Sequence, residues 1–216
     1  MARDLDLSVI AVLGGNGGLG AAISTALEQR GATVVPVSRS SDPPIDIRDV
    51  DAGDRLLALV TERHGRLDGV INATGIVAFG NLLDTDDVVI EELFLTNVLG
   101  PLWLTKRVAP ALADSKGFIV SISGVVAETP VAGMAAYSAS KAALAASSVA
   151  LYRELRRIGV QVIDVRPPHT ETGLATRPLA GTAPKMPAGL DPATVAERIV
   201  AAIEADDHDV APDQFG

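Results

Sequence analysis

Two side chains of this sequence could pass a proton to or from a carbonyl or alcohol oxygen. Tyr137 and Lys141 stand four residues apart in an alanine-rich helical stretch, so both lie on one face of the predicted helix. A tyrosine with its ordinary pKa of about 10 is a poor base at neutral pH, but a nearby ammonium favours the phenolate and lowers that pKa. The pair therefore predicts general acid–base chemistry, although this spacing alone also occurs on ordinary helix surfaces.

A glycine-rich turn near the N-terminus predicts a dinucleotide site. Its glycines allow a tight turn and let a pyrophosphate approach the backbone amides at the start of the following helix. Gly15, Gly17 and Gly20 fit G-x-G-x-x-G, while Gly14, Gly18 and Gly20 fit G-x-x-x-G-x-G. A flexible loop is the alternative, but the position between a strand and a helix favours binding. The residues expected to hold the dinucleotide are Gly14, Asn16, Gly18, Leu19 and Gly20.

The residues after the second predicted strand bear on the choice of cofactor. Dinucleotide folds that select NAD usually carry an acid there, which binds the ribose 2′-hydroxyl. This sequence instead has Ser38 and Arg39 directly after Val37. A hydroxyl beside a guanidinium suits a 2′-phosphate, so we predict NADP(H) rather than NAD(H). The alternative is that Arg39 is an ordinary solvated surface charge.

The elements that must position these residues alternate along the chain. Strands alternating with helices predict a Rossmann-like, doubly wound and mostly parallel α/β sheet with helices on both faces, in a single domain over residues 1–216. The predicted strands are Ser8–Leu13, Thr33–Val37, a very short Ile45–Ile47, Leu67–Ile71, Phe118–Ile122, Gln161–Val165 and Asp209–Ala211. The predicted helices are Gly18–Gln29, Asp51–His64, a kinked or segmented Asp86–Ala113, Ala136–Ile158 and Pro192–Glu204.

Two connections in this pattern are unusual. Only Ser38–Pro44 separates the second strand from Ile45, and a parallel crossover needs about a dozen residues or more. No helix fits there, so this edge of the sheet should be shortened. The segment Arg166–Leu190, rich in Pro, Gly and Thr, should be a long loop, and such loops often cover active sites.

Composition narrows the possible partners. The net charge of −9 argues against nucleic acid and anionic membranes, and aromatic residues at 3% argue against a base-stacking platform. The chain has no Cys, and its histidines are scattered, so we expect no metal site. Met1–Leu7 is charged rather than apolar, and no apolar run reaches about 18 residues, so we expect a cytoplasmic protein. The three histidines are His64, His169 and His208.

The sequence resembles short-chain dehydrogenases/reductases over nearly its whole length. Gly14, Gly18 and Gly20 match that family's Thr-Gly-x-x-x-Gly-x-Gly turn, with Leu13 where the family has threonine. Tyr-Ser-Ala-Ser-Lys, ending at Lys141, matches the family's Tyr-x-x-x-Lys motif with high specificity. Further matches are Asn72-Ala73-Thr74-Gly75, Asp46-Ile47, Asn97, and Pro167 with Thr172 at the ends of a Pro-Gly-x-x-x-Thr motif in which Pro168 replaces glycine.

The resemblance implies a mechanism and a cofactor. A hydride would move between a nicotinamide and a carbonyl or carbinol carbon, with Tyr137 as general acid or base. Lys141 would hold the nicotinamide ribose and lower the tyrosine pKa, and Asn97 would help to hold a proton-relay water. Asp46 would face the adenine. Family members commonly form dimers or tetramers through two long helices, and the small residues that would let those helices pack are Ala139, Ala142, Ala146 and Ala150.

One expected residue is displaced. The family usually carries a substrate-binding serine 13 residues before the tyrosine, and in this sequence that position is Gly124. Ser123 is the immediate neighbour, and a bulge at the strand end could re-aim its side chain. We therefore take Ser123 as the candidate catalytic serine. The alternative is a structural serine at a strand end.

Two functions of different classes follow from these residues. The first is an NADPH-dependent carbonyl reductase or alcohol dehydrogenase acting on a small molecule that the sequence does not name. The second is a dinucleotide-binding sensor or scaffold, suggested by Gly124 and by the shortened connection after Val37. The retained Tyr137–Lys141 pair and Asn97 favour the enzyme, because a mere binder needs no proton relay.

Overall fold

The fold is built on one sheet of six parallel strands in the computed structural model, which describes residues 3–216. The strands are β1 (Val9–Leu13), β2 (Thr33–Val37), β3 (Gly69–Asn72), β4 (Phe118–Ile122), β5 (Gln161–Val165) and β6 (Asp209–Val210). Their order is β2-β1-β3-β4-β5-β6. The order reverses at β1, which has β2 on one side and β3 on the other. Ligands of such sheets bind beyond the carboxyl ends of the strands at this switch point.

Helices cover both faces of the sheet, which explains why the strands are continuous apolar runs. They are α1 (Gly18–Glu28), α2 (Ala52–His64), α3 (Asp87–Phe94), α4 (Gly100–Ser115), α5 (Ala135–Leu155) and α6 (Pro192–Ala205). Ile10 and Val12 of β1 pack with α1 and α6, whereas Ala11 and Leu13 of the same strand pack with α2 and α4. The predicted doubly wound sheet is confirmed.

The long helical stretch before β4 is segmented, as predicted, but not at a proline. Between α3 and α4 the chain forms a π-helix over Leu95–Leu99, and this wider turn contains Asn97. Pro101 lies in the first turn of α4, where a missing N–H leaves no bond unmade. Pro110 lies inside α4 without ending it. Isolated π turns in α-helices often mark functional sites.

The same stretch, Asp87–Ser115, is long and apolar enough to cross a membrane when judged by length and composition alone. Half of its most apolar window is nevertheless buried inside the protein. Core helices of sheet proteins pass the same test, and α4 packs on α2 beside the sheet.

The edge of the sheet beyond β2 is shortened, as predicted, because no helix forms within Ser38–Pro44. The predicted short strand Ile45–Ile47 is wrong. Both isoleucines are buried in the cluster that α2 and α4 form, so the apolar pattern reflects packing and not strand pairing. The Ile47 carbonyl packs directly on Gly100, where a Cβ would collide with it.

The predicted long loop before α6 is irregular, with one isolated bridge between Thr170 and Leu190. Part of it is bonded to the segment after β3. The Leu179 amide donates to the Val77 carbonyl at 2.8 Å, and the Phe79 amide donates to the Ala180 carbonyl at 2.9 Å. Residues 174–183, the covering segment, therefore lie across the carboxyl ends of the strands, where the predicted site residues converge.

Candidate active site

The glycine turn lies between β1 and α1 and leaves the helix N-terminus open. Gly17 is the N-cap of α1 and has no side chain to bond the first-turn amides, which lack partners in any α-helix. Gly14 has a φ of 75° and lies against the backbone of Ala73, where a Cβ would come within 2.9 Å of the Ala73 carbonyl oxygen. The turn thus presents unpaired N–H groups and a partial positive charge to an anion.

The long loop closes the other side of this turn. A Cβ at Gly18 would come within 2.6 Å of the Thr172 carbonyl oxygen, so only glycine allows this contact. Thr172 is one end of the Pro-x-x-x-x-Thr segment selected from the sequence. The backbone of Gly18 and that of Thr172 therefore meet at the start of α1.

The residues after β2 form a polar group next to the turn. The Asn16 side-chain amide donates to Ser38 Oγ at 3.0 Å, and Ser38 Oγ lies 3.0 Å from Ser40 Oγ. Arg39 is exposed between these serines. Asp46 is bound by Arg48, which also pairs with Glu92 at 3.0 Å, and the bonds from Arg48 lower the pKa of the Asp46 carboxyl.

The second half of the site lies at the carboxyl ends of β3 and β4. Lys141 is buried, and its Nζ donates to the Ile122 carbonyl at 2.7 Å. A Cβ at Gly75 would lie 3.5 Å from both Lys141 Nζ and Asn97 Oδ1, so the three residues surround one small space. Tyr137 lies one turn before Lys141 on α5 and is 8% exposed. Three predicted residues, Gly75, Asn97 and Lys141, are therefore brought together, and Tyr137 lies one turn of α5 away from Lys141.

Asn97 is held by the segment that follows β3. Its Oδ1 accepts a hydrogen bond from the Ile76 amide at 3.1 Å, and its Nδ2 donates to the Ile76 carbonyl at 3.0 Å. Nδ2 also donates to Ser140 Oγ at 3.0 Å, and Ser140 Oγ in turn donates to the Tyr137 carbonyl at 2.7 Å. Asn97 thus joins the π turn, the β3 end and the first turns of α5.

Ser123 does not fit the predicted role of substrate-binding serine. Its side chain is fully buried, and its hydroxyl donates to Asp164 Oδ2 at 2.9 Å. Ser121 is paired in register with Asp164, and side chains two apart along a strand share a face. Ser123 therefore points toward Asp164 of the neighbouring strand β5, inside the fold. The position 13 residues before Tyr137 is Gly124, with a φ of 80°.

The network around Ser123 was not predicted from the sequence. Arg166 is buried and donates to Asp164 at 2.6 Å and to Asp209 at 2.5 Å, and it also pairs with Glu128. Burial raises the pKa of Asp164, while the bonds from Ser123 and Arg166 oppose that rise. The sequence does carry one signal for this network: Asp164-x-Arg166 places two opposite charges at the end of an apolar strand. Such a pattern indicates a buried ion pair rather than a ligand-binding site.

Burial controls the ionisation of the two central groups. Burial raises the pKa of Tyr137 to about 12 and lowers the pKa of Lys141 to about 8, against a smaller opposing effect of the Asp164 charge. Contrary to the expectation from the sequence, Lys141 does not lower the tyrosine pKa in the chain without cofactor, because desolvation by burial raises it. Tyr137 is thus a protonated phenol at neutral pH.

Comparison with known proteins identifies this arrangement. The sequence profile described as short chain dehydrogenase matches residues 8–180. This chain belongs to the short-chain dehydrogenase/reductase family. Family members are NAD(P)-dependent oxidoreductases, and this short-chain dehydrogenase has their parallel Rossmann-like sheet.

Three similar proteins illustrate the relationship. The chain is 30% identical over 240 residues to a dehydrogenase/reductase SDR family protein 7-like of Anopheles gambiae, covering 97% of this chain and 76% of that protein. It is 32% identical over 197 residues to the ipsdienol dehydrogenase of Ips pini, covering 79% and 77%. A short chain dehydrogenase from Burkholderia cenocepacia, solved in complex with NADP, superposes with a TM-score of 0.85 at 26% identity, covering 96% and 89%.

The residues present in this short-chain dehydrogenase fit a nicotinamide dinucleotide. The uncapped start of α1 offers unpaired amides, and the space beside Gly18 admits no Cβ. The hydroxyls and guanidinium after β2 supply donors at the edge strand. Asn72 Oδ1 accepts hydrogen bonds from the backbone amide and the hydroxyl of Thr74, and these bonds fix the turn after β3 that borders the glycines.

Proposed function

We propose that this chain is an NADPH-dependent carbonyl reductase, or an alcohol dehydrogenase in the reverse direction, in which Tyr137 exchanges the proton. The observation that carries the proposal is the convergence of Tyr137, Lys141, Asn97 and Gly75 beside the open N-terminus of α1. Each of these groups is held by its own hydrogen bonds or by packing, so the arrangement is preorganised.

The proposed cofactor contacts follow from the geometry described above. The first-turn amides of α1 would bind the pyrophosphate, together with Gly14, Leu19, Gly20 and Thr172. Ser38 and Arg39 would bind a 2′-phosphate, and their neighbours Asn16 and Ser40 would orient the Ser38 hydroxyl. Further proposed contacts are Asp46, Ile47, Asn72, Ala73, Thr74, Gly75, Lys141 and Pro167.

The proton chemistry belongs to the chain's own residues. When bound, the nicotinamide supplies a hydride to a carbonyl carbon or accepts one from a carbinol carbon. Tyr137 donates its phenolic proton to the oxygen of the carbonyl compound, since burial keeps its pKa at about 12. As Tyr137 gives up its proton, negative charge develops on its oxygen, and the Lys141 ammonium, beside Gly75, would stabilise that charge. A protonated phenol favours the direction in which the carbonyl is reduced.

A sensor or scaffold is the second candidate. Gly124 at the family's serine position, together with the use of the Ser123 hydroxyl by Asp164, favours it. Without that serine the substrate oxygen has one fewer donor, which reduces the stabilisation of its charge. The Tyr137–Lys141 pair favours the enzyme, because a protein that only binds a dinucleotide needs no group that exchanges a proton.

The test compares turnover with binding in matched tyrosine variants. The purified chain, mixed with NADPH and a panel of aldehydes and ketones, should oxidise NADPH. Tyr137→Phe should lower that rate by roughly 10²- to 10⁴-fold while keeping its affinity for NADPH. Tyr152→Phe is the control, because Tyr152 also lies on α5 but stacks on His208 at 4.3 Å. Tight NADPH binding without turnover by any of the proteins would support the sensor.

A further inference from the structure

The side chains around Tyr137 bear on the substrate class. Tyr137 belongs to an apolar cluster that also contains Val77, Phe79 and Leu93. Met134, Val126 and residues of the covering segment pack against this cluster. Tyr137 also lines a small chamber together with Phe79, Leu82 and Met134.

The chamber offers a ligand little polar contact. Of the residues that line it, only Thr85 and Tyr137 have polar side chains within the described chain, residues 3–216. Thr85 Oγ1 already donates to the Asn81 carbonyl at 2.9 Å. The Tyr137 hydroxyl is thus the group left for a polar ligand atom, and the remaining contacts would be with hydrocarbon or aromatic surface.

Apolar side chains continue from the chamber onto the surface. Leu82 lines the chamber and is also 54% exposed. Leu83 beside it is 97% exposed, and Val131, in the loop before α5, is 46% exposed. The Gly80 amide donates to the Gly133 carbonyl at 2.8 Å, which ties these two loops together. Exposed apolar groups clustered at the mouth of a chamber mark a binding surface rather than scattered surface residues.

The charges near this mouth disfavour an anionic ligand. Asp84, Asp86 and Asp87 follow Leu83 directly and are all exposed. Two cations belong to the covering segment and its continuation: Arg177 donates to the Gly173 carbonyl at 3.1 Å, and Lys185 is exposed to solvent. None of the described side chains that line the chamber is a cation, so a carboxylate inside it would lose its water without gaining a partner, which is unfavourable.

We propose that the substrate is an uncharged carbonyl compound whose hydrocarbon part lies against Phe79, Leu82 and Met134, with its oxygen at Tyr137. This inference rests on the proposed reductase function and names its substrate class. The chamber is partly open to solvent and has a volume of about 10 Å³, room for about one water molecule. A ketone of several carbons therefore requires the chamber to widen, and the half-exposed Leu82 side chain is the lining group that can move outward.

A matched pair of ketones tests the class. Octan-2-one and 7-oxooctanoate share a methyl ketone and a chain of equal length, and differ by a terminal carboxylate. We expect kcat/KM for octan-2-one to exceed that for 7-oxooctanoate by about tenfold or more. Equal use of the two ketones, or preference for the acid, would overturn the inference.

Binding separates this inference from the proposed function. Ligand-observed NMR of both ketones with the chain and NADP⁺ should show binding of octan-2-one and weaker binding of 7-oxooctanoate. Octan-2-one bound without turnover would support the chamber assignment and contradict the reductase. Binding of neither ketone, with or without turnover of smaller aldehydes, would contradict the chamber assignment.

A variant at the mouth adds a local test. Leu82→Glu should raise KM for octan-2-one by about tenfold with little change in kcat. Leu7→Glu is the control, because Leu7 is 78% exposed and lies just before β1, at the amino ends of the strands, opposite the carboxyl ends where the site lies. Sedimentation of the same variants reports self-association. An unchanged KM together with an altered oligomer would assign the patch to a second copy of the chain and overturn the proposal.

Discussion

At the glycine turn the chain presents backbone amides and small residues, whereas around Tyr137 it presents apolar side chains. The first region, the cofactor side, depends on where a Cβ is absent: at Gly18, none fits beside Thr172. The second region, the reaction side, depends on where side chains point and on how fully they are buried. The difference teaches that the cofactor side can be inferred from residue spacing, while the reaction side requires knowledge of side-chain direction.

The largest expected effect is on cofactor binding alone and comes from a substitution at Gly18. Gly18→Ala places a Cβ within 2.6 Å of the Thr172 carbonyl oxygen and 2.9 Å of its Cα, so the loop must move away from the start of α1. We expect the Kd for NADPH, measured by fluorescence titration, to rise roughly a hundredfold, which corresponds to about 2.7 kcal/mol. Gly65→Ala is the control for a loss of stability away from the site: its Cβ would have no neighbour within 4 Å, but its φ of 74° strains the backbone, so NADPH affinity should stay normal while stability falls. A normal Kd in Gly18→Ala would show that this contact is unimportant.

The next effect tests the reaction side through pH. Burial lowers the pKa of Lys141 to about 8 from its ordinary 10.5. Between these values the unfolded chain binds more protons than the folded chain, so the free energy of unfolding must rise with pH. We expect the free energy of unfolding of wild type to rise by about 2 kcal/mol relative to that of Lys141→Met between about pH 8 and about pH 10. Urea denaturation of both proteins without cofactor measures it, and a pH-independent difference would mean that the ammonium is not destabilised by burial.

A smaller effect tests the choice of cofactor. Arg39→Ala should weaken NADPH binding by about tenfold, the value of a charge-assisted hydrogen bond, and leave NADH binding unchanged. Arg157→Ala is the control, since Arg157 is exposed in the short turn before β5, at the amino ends of the strands and away from the site. Parallel titrations with the two cofactors give the ratio. Equal loss of affinity for both would remove Arg39 from the 2′-phosphate site.

The smallest effect concerns the displaced serine. Because the Ser123 hydroxyl donates to Asp164 inside the fold, Ser123→Ala should lower NADPH-dependent turnover by less than about fivefold. Its main cost should be about 1 kcal/mol in the free energy of unfolding, since one buried hydrogen bond is lost. A rate reduced by orders of magnitude with unchanged stability would restore Ser123 to the reaction side.

Most of the fold was predictable from the sequence because the strands are short apolar runs between helical segments. β2, β4 and β5 have the predicted bounds. The failure at Ile45–Ile47 has a physical cause: alternating apolar residues pack under α2 and α4 without a partner strand. A π turn leaves no compositional mark, so the segmentation at Asn97 was predicted only through the nearby prolines.

The site divides in the same way. Spacing was enough to place the glycines between β1 and α1, because a missing side chain has no direction to predict, and the family resemblance selected Gly14, Gly18 and Gly20 among them; their contact with a cofactor stays a prediction. It was also enough for Tyr137 and Lys141, because four residues fix a shared helix face. It was not enough for Ser123, whose direction depends on the buried Asp164–Arg166 pair of a neighbouring strand. Long-range partners of that kind cannot be inferred from local sequence.

Transfer of a labelled hydride tests the central claim most directly. The chain is incubated with octan-2-one and with NADPH that carries deuterium in place of both C4 hydrogens of the nicotinamide, so that either face gives a label, and the alcohol is examined by mass spectrometry. We expect one deuterium in each molecule of octan-2-ol formed, in wild type and in Tyr152→Phe, and almost no alcohol with Tyr137→Phe. Unlabelled product, or no alcohol from this or any other carbonyl compound despite bound NADPH, would contradict the assignment as a carbonyl reductase.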